Sequence, residues 1–209
     1  MLHQAYQARQ AIDGVALRTP LLISPSLSEL TGADVRLKLE TVQPIGAFKL
    51  RGAANAVARL SEAQAAAGVA CASTGNHGRA LAYAAARRGI RAVICMSRLV
   101  PENKLAAIRA TGAEIRIIGD SQDDAQQEVD RLVQEEGMSE IPPFDHPHVI
   151  AGQGTIGLEL MEDWPEVDSV LVPLSGGGLI GGIAAVVKAA NPDIRVVGIS
   201  MARGAAMDA

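Results

Sequence analysis

Short runs rich in valine and isoleucine recur along this chain, and a helical stretch follows nearly every one. The runs are Gly68–Ser73, Arg91–Met96, Ala113–Ile118, Asp168–Pro173 and Ile194–Ser200, joined by Val35–Glu40, which alternates apolar and charged residues as a half-buried strand does. Between them, helical periodicity covers Leu50–Ala66, His77–Arg88, Glu102–Ala110, Asp123–Glu136, Thr155–Glu162 and Leu179–Ala190. One stretch opens with a possible capping box, Ser121-x-x-Asp124, and then sets Ala125, Val129, Leu132 and Val133 on one face. Strands alternating with helices predict βαβ units, hence an α/β fold with doubly wound, mainly parallel sheets. In such sheets ligands bind beyond the carboxyl ends of strands, where loops enter helix N-termini. The loops after Ala72, Met96 and Pro173 therefore carry the most information.

Composition narrows the function classes. The chain has 209 residues with a formal charge of −4, so no basic surface for nucleic acid or anionic membrane is expected. Aromatics make up only 2%, leaving few rings for base stacking. The uncharged stretch from Ser169 to Val187 contains Pro173 and five glycines, which argues against a membrane span. Met1-Leu2-His3-Gln4 shows neither the basic nor the apolar region of a signal peptide, so a cytoplasmic location is expected. Cys71 and Cys95 lie inside apolar runs and read as buried strand cysteines in a reducing compartment. No internal repeat stands out, and Ile141–His148, with three prolines, reads as a crossing between domains. Val196–Ser200 reads as a strand with nine residues after it, where a doubly wound domain would continue, so the sequence reads as incomplete at its C-terminus.

There are four lysines. Lys38 is expected to face outward on an alternating strand, and Lys104 and Lys188 to lie on solvated helix faces. Lys49 differs: Pro44-Ile45-Gly46-Ala47-Phe48 leads into it, and a helix begins immediately after. A lysine at a helix N-terminus opposes the helix dipole, which lowers its amine pKa and favours Schiff-base chemistry. Ser73-Thr74-Gly75-Asn76-His77-Gly78 follows a strand and opens a helix, so its backbone N–H groups form an anion nest suited to a carboxylate or a phosphate. An ordinary turn with Thr74 or Asn76 as N-cap is the alternative. Ser175-Gly176-Gly177-Gly178-Leu179 occupies the equivalent place after the strand at Ser169–Pro173 and lets backbone approach a phosphate closely. It is neither a P-loop nor the dinucleotide fingerprint. His146-Pro147-His148 has no cysteine or carboxylate array beside it and reads as loop histidines without a metal.

Taken in order, these loops resemble the fold-type II pyridoxal-5′-phosphate (PLP) enzymes, in particular the threonine/serine dehydratase family. Gly46-Ala47-Phe48-Lys49-Leu50-Arg51-Gly52-Ala53 is similar to that family's cofactor-lysine motif, with Ile45 and Ala47 standing where Thr and Ser are usual. Ser73–Gly78 resembles its Ser-x-Gly-Asn-His loop and Ser175–Leu179 its phosphate loop. Pro101-x-x-Lys104 with Gly112-Ala113-Glu114, and the run from Ile150 to Glu159, also look like family signatures.

The resemblance implies a tryptophan synthase β-like architecture. A small domain, residues 53–148, would be inserted in a large PLP-binding domain formed by 1–52 and 149–209. It implies that Lys49 holds the cofactor covalently and acts as base at the substrate Cα. Asn76 would bond the phenolic oxygen of PLP, Phe48 would pack near its ring, and Gly176, Gly177, Gly178 and Leu179 would bind its phosphate. Ser73, Thr74, Gly75 and His77 would line the substrate carboxylate site. The implied reaction takes a β-hydroxy amino acid such as L-threonine or L-serine to a 2-oxo acid and ammonia, in a homo-oligomer.

Ser200-Met201-Ala202-Arg203-Gly204 stands where many relatives have Glu-Pro, so no divalent metal is expected. That run resembles the dehydratases of hydroxyectoine utilisation. The C-terminal segment that supplies a Ser, Thr or Cys to the pyridine nitrogen is not in this sequence, which predicts poor catalysis without further chain. Three alternatives stay open: racemisation, β-replacement, and a non-catalytic ligand-binding module. Against β-replacement, Lys49-Leu50-Arg51-Gly52 stands where that branch has Lys-Asp-Arg or a close variant.

Overall fold

The computed structural model describes residues 1–201. In chain order the elements are α1 (Leu2–Ala11), β1 (Leu21–Ile23), α2 (Pro25–Thr31), β2 (Arg36–Lys38), a 3-10 turn (Glu40–Val42), α3 (Lys49–Ala58), α4 (Glu62–Ala67), β3 (Val69–Ala72), α5 (Asn76–Ala86), β4 (Ala92–Met96), α6 (Glu102–Arg109), β5 (Glu114–Ile117), α7 (Gln122–Glu136), β6 (Ser139–Glu140), α8 (Pro147–Asp163), β7 (Ser169–Pro173), α9 (Gly178–Ala190) and β8 (Arg195–Ile199).

The expected parallel α/β architecture is present. Strands β3 to β6 form one parallel sheet in the order β5-β4-β3-β6, with a helix between each successive pair. Side-chain alternation sends Val69, Cys71, Ile94 and Met96 to one face, against α5 and α6. It sends Ala70, Ala72, Val93 and Cys95 to the other, against Ala125, Val129 and Leu132 of α7. Both faces are covered, so every residue of β3 and β4 is buried, as the apolar runs require. Cys71 and Cys95 are buried free thiols on opposite faces, and burial pushes both thiol pKa values up. They are inert packing residues.

A second body gathers the rest. β7 and β8 pair in parallel, α9 joins them, and α8 packs against α9, α3 and α1. α8 is buried from Val149 to Leu160 apart from Ile150, which is intermediate. Glycines set its closest approach to α9: a Cβ on Gly157 would stand 3.0 Å from the Val186 Cβ. The largest core cluster runs from Ile12 and Ile45 through α3, β3, α5, β4 and α6 to Val149.

Several expectations need correction. The helix read over Leu50–Ala66 is two, broken before Ser61, which opens α4 with its own capping box on Gln64. The helix expected at Thr155 begins at Pro147, because proline fits the first helical position and His146 caps the turn. Helices α1 and α2 and strand β1 carried no periodicity long enough to mark them. The Ser121 capping box forms as expected, but Val133 is 37% exposed and lies off the buried face of α7.

The largest reversal is at β2, where the charged residues point inward. Leu37 is 42% exposed while the Lys38 side chain is only 9% exposed and bonded to Glu159. A buried carboxylate on α8 overrides the ordinary preference of the strand's alternation. Lys104 and Lys188 are exposed, as expected.

Candidate active site

Lys49 stands at the first position of α3. Gly46 takes a φ of 70° there, which turns the chain so that Ile45 and Ala47 are buried on either side of it. Leu50, Ala53 and Val57 then seat the helix in the core with no exposed surface. The Lys49 amine is half-buried, and desolvation lowers its pKa from the ordinary 10.5. Burial, more than the helix dipole, is the cause. Nζ donates to the carbonyl oxygen of Pro143 and lies 5.4 Å from the centre of the Phe48 ring.

The second expected loop enters α5. Its cap residue is Gly75, no side chain caps the helix, and no acidic residue occupies the first turn. The leading N–H groups therefore remain available for an anion. Asn76 begins the helix and is exposed, and its amide has no hydrogen-bond partner among the described residues. The Ser73 hydroxyl accepts from the Gly75 N–H at 3.3 Å, which shapes the turn, and Thr74 is partly exposed beside it. His77 is buried. Its Nε2 is 2.7 Å from the carbonyl oxygen of Ile141, which fixes the tautomer with the proton on Nε2. Burial, helped by the nearby Lys49 charge, pushes the His77 pKa down to about 4, so the ring is neutral. Its Nδ1 is buried with no protein partner among the described residues.

The third loop enters α9. Gly177 is the cap, at a φ of 82° that an L side chain rarely adopts, and again no side-chain cap or acidic residue shields the first turn. The first bond from this turn runs from the Gly181 N–H to the Gly177 carbonyl, at 2.8 Å. The Gly178, Leu179 and Ile180 N–H groups thus stand open. By contrast α4 and α7 both carry full capping boxes.

One segment touches all three loops. Ile141 holds the His77 ring, Pro143 accepts from Lys49, and Phe144 lies on the glycines. A Cβ on Gly176 would collide with the Phe144 ring, and one on Gly178 would come within 2.7 Å of the Phe144 carbonyl oxygen. Two of the three glycines are thus required by Phe144, and Gly177 by its backbone conformation. Ile141–His148 read in sequence only as a crossing. Nothing in local sequence marks a carbonyl as a lysine's acceptor, so Pro143 and Phe144 were not legible as part of a site.

Also missed was Arg51. It is 1% exposed and bonded to Glu40, Glu159 and Thr155. His146 and His148 have a structural account: the His146 Nδ1 accepts the His148 N–H at 3.2 Å and caps α8. Among the described residues no group of three or more His, Cys, Asp or Glu is placed to hold a metal. The expectation drawn from Ser200–Gly204 falls mostly on residues 202–209, outside the described residues.

These features suit an aldehyde cofactor bearing a phosphate. The amine of Lys49 has a lowered pKa, α9 presents uncapped N–H groups with no acidic residue to repel an anion, and Asn76 keeps a free amide.

Fold and site together define a class: an α/β protein built around a half-buried lysine, with open helix N-termini on loops that follow strands of two separate parallel sheets. The chain belongs to the family of pyridoxal-phosphate dependent enzymes, whose family profile matches residues 12–209. It is 61% identical over 208 residues to a "Putative threonine dehydratase" of Sinorhizobium fredii, covering 100% of this chain and 63% of that protein. It is 44% identical over 198 residues to the L-threonine ammonia-lyase of Thermotoga maritima, covering 95% of this chain and 49% of that protein. Maize serine racemase superposes with a TM-score of 0.92 at 38% identity, over 94% of this chain and 60% of its own. The sequence thus spans about half to two thirds of the length of these relatives.

Proposed function

We propose that the complete protein is a PLP-dependent ammonia-lyase that converts a β-hydroxy amino acid, L-threonine or L-serine, to a 2-oxo acid and ammonia. The observation that carries the reading is the convergence on Ile141–Phe144 of the Lys49 amine, the α5 loop and the glycines of α9. The threonine dehydratase and ammonia-lyase names of the similar proteins support it.

Bound PLP supplies an electron sink for the charge left when the substrate Cα loses its proton. Lys49 is the residue to anchor it and then to take that proton, since desolvation lowers its pKa and so favours the free amine. Gly176, Gly177, Gly178 and Leu179 would hold the phosphate through backbone N–H groups, Asn76 the phenolic oxygen, and Phe48 the ring. Ser73, Thr74, Gly75 and His77 would receive the substrate carboxylate. The His77 imidazole is neutral with its proton committed to Ile141, so its share comes from the backbone N–H.

In the domain division we propose, residues 53–148, containing the four-stranded sheet, move against 1–52 and 149–209 to exclude water from the cleft. A cytoplasmic homo-oligomer fits the same reading, and no helix among the described residues is long and apolar enough to cross a membrane.

The test is turnover by the complete protein. Release of ammonia and a 2-oxo acid from L-threonine or L-serine, abolished in Lys49→Ala, supports the proposal. Formation of D-serine alone, or consumption of O-acetylserine with sulfide alone, would replace it with racemisation or β-replacement.

A further inference from the structure

Helix α3 begins badly by local rules. Phe48 at the cap position offers no side-chain acceptor, the first turn has no acidic residue, and a lysine occupies its first position. That places a cation where the helix dipole opposes it. Something else must hold the turn.

Arg51 lies in that turn, two residues from Lys49, and its guanidinium is surrounded by acceptors. Nε and Nη2 reach the two oxygens of Glu40 at 2.9 and 2.8 Å, a bidentate pair. Nη2 also reaches Glu159 at 3.0 Å, and Nη1 bonds Glu159 and the Thr155 hydroxyl, the latter at 3.1 Å. Glu159 in turn pairs with Lys38 at 2.6 Å, and the Thr19 hydroxyl donates to Glu40 at 2.6 Å. Two cations, Arg51 and Lys38, thus balance two carboxylates, Glu40 and Glu159, so the cluster is a geometric fixture more than a source of field at Lys49. On its other side the same turn meets α8 backbone to backbone: a Cβ on Gly152 would stand 2.6 Å from the Gly52 Cα.

We infer that Arg51 is a positioning residue for Lys49, locking the uncapped first turn of α3 to α8 and to the Glu40 turn through Glu159 and Glu40. This rests on the reading of Lys49 as the cofactor lysine. An ammonium in its place carries the charge but cannot bridge two carboxylates in a planar fork. The turn would then loosen, and the Lys49 amine would lose its fixed direction and part of its burial.

Arg51→Lys in the complete protein tests this with two probes. Pyridoxine 5′-phosphate has no aldehyde and reports only the phosphate and ring subsites. PLP also requires the Lys49 amine to add to its aldehyde with loss of water, which absorbance follows and borohydride fixes. The expected result is unchanged affinity for pyridoxine phosphate, with the rate of Lys49 adduct formation down about tenfold or more. The pH midpoint of that reaction should also move up, towards an ordinary lysine. Glu40→Gln, at the less buried carboxylate, should show the same split more weakly and serves if Arg51→Lys folds poorly. Equal losses for both probes, or no change in either rate or pH midpoint, would overturn the proposal. A wild type that binds neither probe overturns it too, but by contradicting the cofactor reading itself.

Discussion

Lys49, at the start of α3, donates a hydrogen bond from Nζ to the carbonyl oxygen of Pro143, 94 residues further along the chain. The contact joins the residue with the most distinctive chemistry to a proline-rich segment that also holds His77 and covers the glycines of α9. The amine is desolvated there, and that burial lowers its pKa.

The first prediction concerns that pKa. Lys104 and Lys188 are exposed, whereas Lys49 is half-buried and desolvated. Acetylation of each lysine, followed by mass spectrometry across pH, should give Lys49 the lowest midpoint of the three. A midpoint at or above those of the exposed lysines would show that burial does not govern this amine.

The glycines of the α9 loop should differ in their tolerance. A methyl at Gly176 meets the Phe144 ring, which can rotate away, while one at Gly178 meets the Phe144 backbone, which cannot. Gly178→Ala should therefore be the more destabilising, by about 1–3 kcal/mol as for other overpacked sites. Phe144→Ala should rescue Gly176→Ala and leave Gly178→Ala unrescued, read as thermal midpoints. Equal rescue of both would mean that the contacts at Phe144 do not set these glycines.

His77 makes stability depend on pH in a defined window. Its folded pKa is near 4 against an ordinary 6.5, so the unfolded chain takes up a proton first as pH falls. Its contribution is complete above about pH 6.5 and is lost progressively down to about pH 4, amounting to about 3 kcal/mol at most. In urea titrations the slope of stability against pH across this window should flatten in His77→Gln. An unchanged slope would mean that His77 is not held neutral by burial.

The parallel sheet was readable because every residue of β3 and β4 is buried, which forces continuous apolar runs, and because helices between strands keep a different period. The two glycine-bearing loops that open α5 and α9 were readable because strand, glycine and helix start are contiguous there. Lys38 and Arg51 were not. Their burial depends on Glu159, more than a hundred residues away, and local alternation assigns such charges to solvent. Phe144 escaped for the same reason: the glycines it demands lie on another element, so its sequence neighbours carry no trace of the contact.

The most direct test of the account is to bind PLP to the complete protein, record the absorbance spectrum, reduce with borohydride and map the labelled peptide. The account predicts an absorbance band near the visible edge and a label fixed on Lys49 alone among the four lysines. No band, or a label spread over Lys38, Lys104 and Lys188 as well, would contradict it.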